Sequence, residues 1–314
     1  MNLDRGHRFD GTRLPPRKGP HMKRLLDNHR VVAGVFLAPG LVFLITFTYW
    51  PALVAIWNSV HSTPRGNRTA VFVGMDNYRA LLADDVFWQV LRNTAFYAVM
   101  TVPPSIVLAI IMALWVNRKV PGLAFLRLAF FAPTVLPLIA VANLWLFFYT
   151  PGFGLFDQIL TAFGFPPQTW LGKSETALAA MSVITVWKEA GFFMIFYLAA
   201  LQSLPPVLRE AASIEGASSW QYFWRITFPL LMPTTLFVSV NAVINSFRLI
   251  DHIVFITQGG PNHASTVLLY YIYENAFSYW DTAYAATLTV VMLGMLIILG
   301  LGQIFIFDRK VHYK

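Results

Sequence analysis

Six apolar stretches, each about 20 residues or longer, dominate this 314-residue chain. Crossing the hydrocarbon core of a bilayer as a helix takes about 20 predominantly apolar residues. Residues 31–57, 88–116, 124–149, 177–202, 234–257 and 282–307 all meet that length. A bilayer interior offers no water to backbone groups, so each stretch must close its own hydrogen bonds as a helix. The fold class is therefore all-α, a polytopic membrane protein of six transmembrane helices. Charge agrees: 12% of residues are charged, against about 25% in a soluble domain. Within the second stretch, Pro103-Pro104 predicts a kink.

A net charge of +8 would suit a nucleic-acid binder, but its placement argues otherwise. Eight of the 23 basic residues precede Val31: Arg5, Arg8, Arg13, Arg17, Lys18, Lys23, Arg24 and Arg30. A basic tail running straight into an apolar stretch is what the positive-inside rule expects of a cytoplasmic N-terminus, so membrane lipid rather than nucleic acid is the partner. The first stretch exceeds a signal-peptide core and lacks a small-x-small cleavage site, which reads as a retained helix. Met22 offers an alternative start, and the Arg, Pro and Gly content of residues 1–21 predicts disorder. Without cysteine, disulfides, thiolate metal sites and cysteine nucleophiles are excluded.

Loop charges set the orientation. Arg118, Lys119 and Arg127 flank the link between spans two and three, and Arg309, Lys310 and Lys314 lie in the C-terminal tail. Loop 150–176 carries only Lys173, and loop 258–281 has no Lys or Arg. In loop 58–87, Arg65, Arg68 and Arg79 are accompanied by Asp76, Asp84 and Asp85. Both termini are thus expected in the cytoplasm of a bacterial inner-membrane protein. The organisation is a tail over 1–30, a membrane domain over 31–307 containing a cytoplasmic loop at 204–233, and a tail over 308–314. Outside, Phe72 to Leu82 has a helix-like apolar face, and loop 150–176 is rich in Gly, Pro and aromatic residues. Either segment could pack at the headgroup level or receive a soluble partner.

The loop between spans four and five is far longer than a turn needs. Pro205-Pro206 suits a helix start; Leu208, Ala211, Ala212 and Ile214 fit a short helix that Gly216 ends. Ser218 with Gln221 reads as a capping box for a second helix, ending before Pro229. A helix–turn–helix knuckle results, small at its bend, suited to a groove on another protein; an amphipathic helix resting on the membrane is the alternative. Glu210 and Arg225 could pair across it or with a partner.

Glu210-Ala211-Ala212, Gly216-Ala217, Ile226 and Pro229 closely resemble the EAA loop of ABC-importer permeases, in the maltose and glycerol-3-phosphate branch. Phe72-Val-Gly-Met-Asp-Asn-Tyr78, Leu198-Ala-Ala-Leu-Gln-Ser-Leu-Pro205, Thr257-Gln-Gly-Gly-Pro261 and Tyr273-Glu-Asn-Ala-Phe277 extend the resemblance from about residue 31 to the C-terminus. Phe228 departs from the leucine usual before the proline. The resemblance implies a type I importer permease fold, a second homologous permease, two ATPase subunits and an extracytoplasmic solute-binding protein. ATP and Mg would sit on the ATPase subunits, docked on the loop. The chain has no G-x-x-x-x-G-K-[ST] phosphate loop, so no catalytic role and no cofactor of its own are expected.

Ionisable residues at membrane depth are functional candidates by default. Span four holds Lys188-Glu189, which as neighbours on a helix do not face one another. Span five holds Asn241, Asn245 and Arg248 at spacings that share one face, with Asp251 and His252 following. That stripe could line an aqueous path or glue the bundle; Arg248 with Asp251 is a plausible structural pair, and His252 reads as a packed polar residue. No metal spacing and no nucleophile–base arrangement occurs. The resemblance to the maltose permease implies solute contacts at Thr185, Lys188 and Glu189, at Ala242, Ser246 and Leu249, and at Thr134 and Leu138 of Pro133-Thr-Val-Leu-Pro137. Several of these are apolar, and the Asn241/Asn245/Arg248 stripe is offset by one residue. Lys188 suggests an anionic group on the solute, whereas Lys188 with Glu189 also suits neutral hydroxyls. The alternatives are an ion-coupled secondary transporter using Glu189, Arg248 and Asp251, which lacks an evident inverted repeat, and a membrane enzyme, for which no catalytic constellation is present.

Overall fold

The computed structural model describes residues 29–64, 66, 69–118 and 121–308. Nearly all of the two tails, including the segment expected to be disordered, and Arg65, Arg68 and Lys119, lie outside the described residues. The chain divides into two compact units, one ending at Val54 and one beginning at Ala55. Helix α1 (His29–Leu44), a π turn at Ile45–Tyr49 and α2 (Trp50–Ser59) follow one another as a single apolar span, Val32–Ser59.

Beyond it come α3 (Asp76–Leu82), α4 (Asp85–Val116), α5 (Leu123–Val135), α6 (Leu138–Phe148) and α7 (Leu155–Ala162). They are followed by α8 (Ala177–Ser203), α9 (Pro206–Ile214), α10 (Ser219–Tyr222), α11 (Phe228–Leu230), α12 (Met232–Arg248), α13 (Leu268–Tyr273) and α14 (Thr282–Asp308). No strand occurs among the described residues; His61 and Phe72 form one isolated antiparallel bridge. The external helix expected from Phe72 begins only at Asp76, because Phe72 is held extended in that bridge.

Among the described residues, five single helices are long and apolar enough to span, and α5 with α6 makes a sixth that is bent by 101°. Pro103-Pro104, where a kink is expected, lie inside α4 and do not end it; the helix extends for 32 residues. Its buried line, Tyr97, Thr101, Ser105, Ala109 and Ala113, repeats every four residues and packs along α8, so tertiary contact holds the helix through both prolines. The third span breaks instead at Leu136-Pro137, where Leu136 is extended (φ −70°, ψ 135°). Steric clash with the proline ring favours that conformation in the preceding residue. Span five is interrupted as well: α12 ends at Arg248, Leu249 leaves helical geometry, and a π turn at Ile253–Thr257 completes the crossing.

The core is built on small residues, which let helix backbones approach where lipid supplies no hydrophobic drive between helices. Ala109, Ala113, Ala190, Phe193, Tyr197, Val238 and Ala242 form its centre between α4, α8 and α12. Asp84 caps the N-terminal end of α4 through the Val86 amide (2.9 Å) and accepts from the hydroxyls of Tyr271 (2.7 Å) and Tyr284 (2.6 Å). Burial raises the affinity of Asp84 for a proton, but these hydrogen bonds outweigh it and its pKa is lowered.

Segment 150–176, expected to be structured, is organised around Asp157 of α7. Its buried carboxylate accepts from the Gly152 amide (2.8 Å), the Gln168 amide (3.1 Å) and Trp170 Nε1 (3.0 Å). The Gly152 bond leads the causes that hold its pKa below the ordinary 3.8. A lowered folded-state pKa gives stability that is complete above 3.8 and is lost as pH falls through the folded value. Hydrogen exchange over residues 150–176 is therefore expected to stay slow at neutral pH and accelerate in acid below that value. Asp157→Asn, which offers donors where Asp157 accepts, should exchange fast throughout with no such acid step. Equal protection in both proteins at neutral pH would contradict this role.

Candidate functional site

The loop between α8 and α12 forms the knuckle. Pro206 occupies the first turn of α9, where a missing N–H costs nothing. Gly216 then takes φ +75°, and the amides of Gly216 and Ala217 reach back to the carbonyls of Ser213 and Ala212. The capping box is complete: Ser218 Oγ accepts from the Gln221 amide (3.3 Å) and Gln221 Oε1 from the Ser218 amide (2.8 Å). The second helix does not end before Pro229. It passes through a π turn at Phe223–Thr227 and continues as α11 to Leu230, one residue short of α12. The wider turn takes up the register shift, with the Phe228 amide bonding to the Phe223 carbonyl. The knuckle is thus joined to span five almost without a linker.

Its surface is apolar where it faces out. Ile214 is 86% exposed, Trp220 70% and Val207 67%. Ala212 is buried, whereas Glu210, Ala211 and Gly216 are exposed and Ala217 and Ile226 half-buried. Glu210 and Arg225 form no ion pair with one another; among the described residues the ion pair is Arg79 with Asp76.

The intramembrane candidates divide into three groups. Thr185, Glu189, Asn245 and Ser246 converge, with Ala242, Thr101, Val102, Ser105 and Phe193, on a cavity of about 10 Å³, room for about one water. Glu189 Oε2 accepts from Asn245 Nδ2 at 2.6 Å, tying α8 to α12. Lys188, about 100° round the helix from Glu189, donates to the carbonyls of Pro133, Thr134 and Leu136 at 3.0, 3.2 and 2.8 Å. Thr134 Oγ1 donates to the Lys188 carbonyl (3.3 Å), and Leu138 packs against the cluster around Tyr97, Val141 and Trp145. Asn241 spends its amide on the Phe237 carbonyl of its own helix (2.8 Å). Arg248 is exposed at the end of α12, Leu249 is half-buried, and the pair expected between Arg248 and Asp251 does not form because the helix breaks between them.

One member of the polar interior, Tyr97, escaped the sequence reading. Tyr97, fully buried, hydrogen-bonds Thr185 Oγ1 (2.6 Å) and His252 Nε2 (2.9 Å), joining spans two, four and five. His252 is thus packed and polar, as expected of it. The four-residue spacing of Tyr97, Thr101 and Ser105 in an apolar helix was the available signal for a polar face on span two.

Comparison with known proteins matches residues 105–313 to the family described as "Binding-protein-dependent transport system inner membrane component". The sn-glycerol-3-phosphate transport system permease protein UgpA of Rhizobium meliloti is 32% identical over 294 residues, covering 93% of this chain and 100% of the relative. The sulfoquinovosyl glycerol transport system permease protein SmoG of Agrobacterium fabrum is 30% identical over 286 residues, covering 90% and 93%. Among solved structures, a bacterial alginate ABC transporter in complex with alginate pentasaccharide-bound periplasmic protein contains a chain of the same fold. It superposes with a TM-score of 0.80 at 22% identity, over 93% of this chain and 98% of that one. With its broken spans and its knuckle between spans four and five, this chain belongs to the family of multi-pass inner-membrane permeases of binding-protein-dependent ABC importers.

Proposed function

We propose that this chain forms half of the solute path of an ATP-driven importer for an anionic sugar or glycerol derivative. The reading rests chiefly on the knuckle: a capped helix pair that presents Val207, Ile214 and Trp220 to an aqueous partner and passes directly into span five. Glu210, Ala211, Ala212, Gly216, Ala217, Ile226 and Pro229 would dock it on one of two ATPase subunits, which hold ATP and Mg. This chain would then be non-catalytic, with both termini in the cytoplasm. The cavity of about 10 Å³ is too small for a sugar, so a solute chamber would form between this permease and a second, homologous one. An external binding protein would deliver the solute.

Thr134, Leu138, Thr185, Glu189, Asn241, Asn245, Ser246, Arg248 and Leu249 are the residues proposed for the path, and Lys188 is proposed to shape its wall without touching solute. Among its cations, Lys188 has its donors engaged, whereas Arg248 is exposed. A guanidinium matches phosphate, sulfonate or carboxylate oxygens in two-point fashion. The relatives' names, glycerol-3-phosphate and sulfoquinovosyl glycerol, specify anionic cargo for those proteins.

The test is uptake into proteoliposomes carrying the assembled complex and binding protein. Uptake should require enclosed ATP and persist when ion gradients are collapsed. Arg248→Gln should raise KM for a phosphorylated or sulfonated solute about tenfold. Uptake driven by an ion gradient without ATP would instead establish the secondary transporter built on Glu189, Arg248 and Asp251.

A further inference from the structure

We infer that Lys188 is the positioning residue of the third span: its ammonium closes the open end of α5 and fixes the elbow from which α6 departs. The need arises in the sequence. Pro137 has no N–H, so the Pro133 carbonyl loses the partner four residues on that a continuous helix would supply. Leu136 is extended, which takes its own carbonyl out of either helix and leaves the Thr134 carbonyl at the bend. In hydrocarbon these groups have no water to turn to, and each unsatisfied one is costly.

The number of donors matches the number of acceptors. An ammonium has three N–H groups and no acceptor; the three carbonyls lie at 2.8 to 3.2 Å from Nζ. A cation at a helix C-terminus is also favoured by the alignment of the peptide dipoles. Two further contacts pin the same junction: Thr134 Oγ1 on the Lys188 carbonyl, and the close approach of Gly191 to the Phe130 carbonyl. About 100° further round α8, Glu189 holds Asn245. Residues 188 and 189 thus grip the broken span from one face of α8 and, from the adjacent face, the span that leaves the knuckle. A change of angle at the knuckle would reach the elbow through this one turn of helix.

The chain has no cysteine, so a label pair at Phe125→Cys and Phe147→Cys, both exposed, reports the distance across the elbow with no other labelling site on this chain, once any partner-subunit cysteines are replaced. In the assembled transporter in nanodiscs, the distribution should be narrow in the otherwise unaltered chain and broad with Lys188→Met. Lys188→Arg, which keeps charge and donors, should narrow it again. Uptake by Lys188→Met should fall about tenfold or more in maximal rate while KM stays within about twofold, since no solute contact is lost. A distribution as narrow in Lys188→Met as in the parent overturns the assignment, and a loss confined to KM shows that the ammonium contacts solute instead. Should Lys188→Met not assemble, Lys188→Gln takes its place: its amide has two donors on a shorter stem, and a parental distribution again overturns the role. The distance measurement does not depend on the importer reading, which stands or falls on ATP-driven uptake by the unsubstituted complex.

Discussion

Gly216→Trp is expected to abolish ATP-coupled uptake while leaving the chain inserted and folded. Gly216 takes φ +75°, a conformation that costs an L-residue about 1–2 kcal/mol. That cost is borne by a short surface turn. An added Cβ meets nothing within 4 Å, so the side chain projects away from the chain's own interior. It enters open space at the bend of the knuckle, between the helices that expose Ile214 and Trp220 and are proposed to seat on the ATPase. An indole there holds the two surfaces apart. Purified complexes should therefore lose the ATPase subunit, and any retained assembly should show no solute-stimulated hydrolysis. Gly216→Ala separates the two effects: it pays the same backbone strain and adds one methyl group, so coupling should survive with modest loss. Normal coupled turnover in Gly216→Trp would remove the knuckle from the ATPase contact.

The features legible in the sequence are those fixed by local rules. A run of apolar residues has no stable option in lipid but a helix, so the spans emerged close to their true bounds. Pro206, Gly216 and the Ser218/Gln221 box act within one or two turns, so the knuckle emerged with them. The prolines were a different matter. Pro103-Pro104 and Pro137 pose the same local problem, yet α4 runs through the first and the third span breaks at the second. At the second, the carbonyls released by the break are satisfied by Lys188, about 50 residues away, and no rule of local sequence connects them. The contacts of the polar stripe on span five were illegible for a related reason. Helical spacing puts Asn241, Asn245 and Arg248 on one face, but their partners differ: own backbone for Asn241, Glu189 for Asn245, and the exposed end of a broken helix for Arg248. Tyr97 and His252, 155 residues apart, meet only in the folded bundle.

The same junction yields the largest expected effect on stability. Gly191 lies on α8 where α5 crosses it, and a Cβ there would run into the Phe130 carbonyl. The obstacle is backbone within a helix, which cannot swing aside as a side-chain terminus can. Gly191→Leu must therefore push α5 away from α8, and the displacement draws the carbonyls of Pro133, Thr134 and Leu136 off the Lys188 ammonium. Overpacking of this kind typically costs about 1–3 kcal/mol, and loosening a charge-assisted contact adds to it. Against this, replacing glycine in a helix gains about 1 kcal/mol, too little to compensate. The matched control is Gly294→Leu on α14, where an added Cβ meets nothing within 4 Å and the helix-propensity gain stands alone. Thermal unfolding in detergent should place Gly191→Leu several degrees below the parent, with Gly191→Ala between them and Gly294→Leu at or above it. Equal midpoints for the two leucine variants would mean that α5 and α8 do not meet backbone to backbone at this glycine.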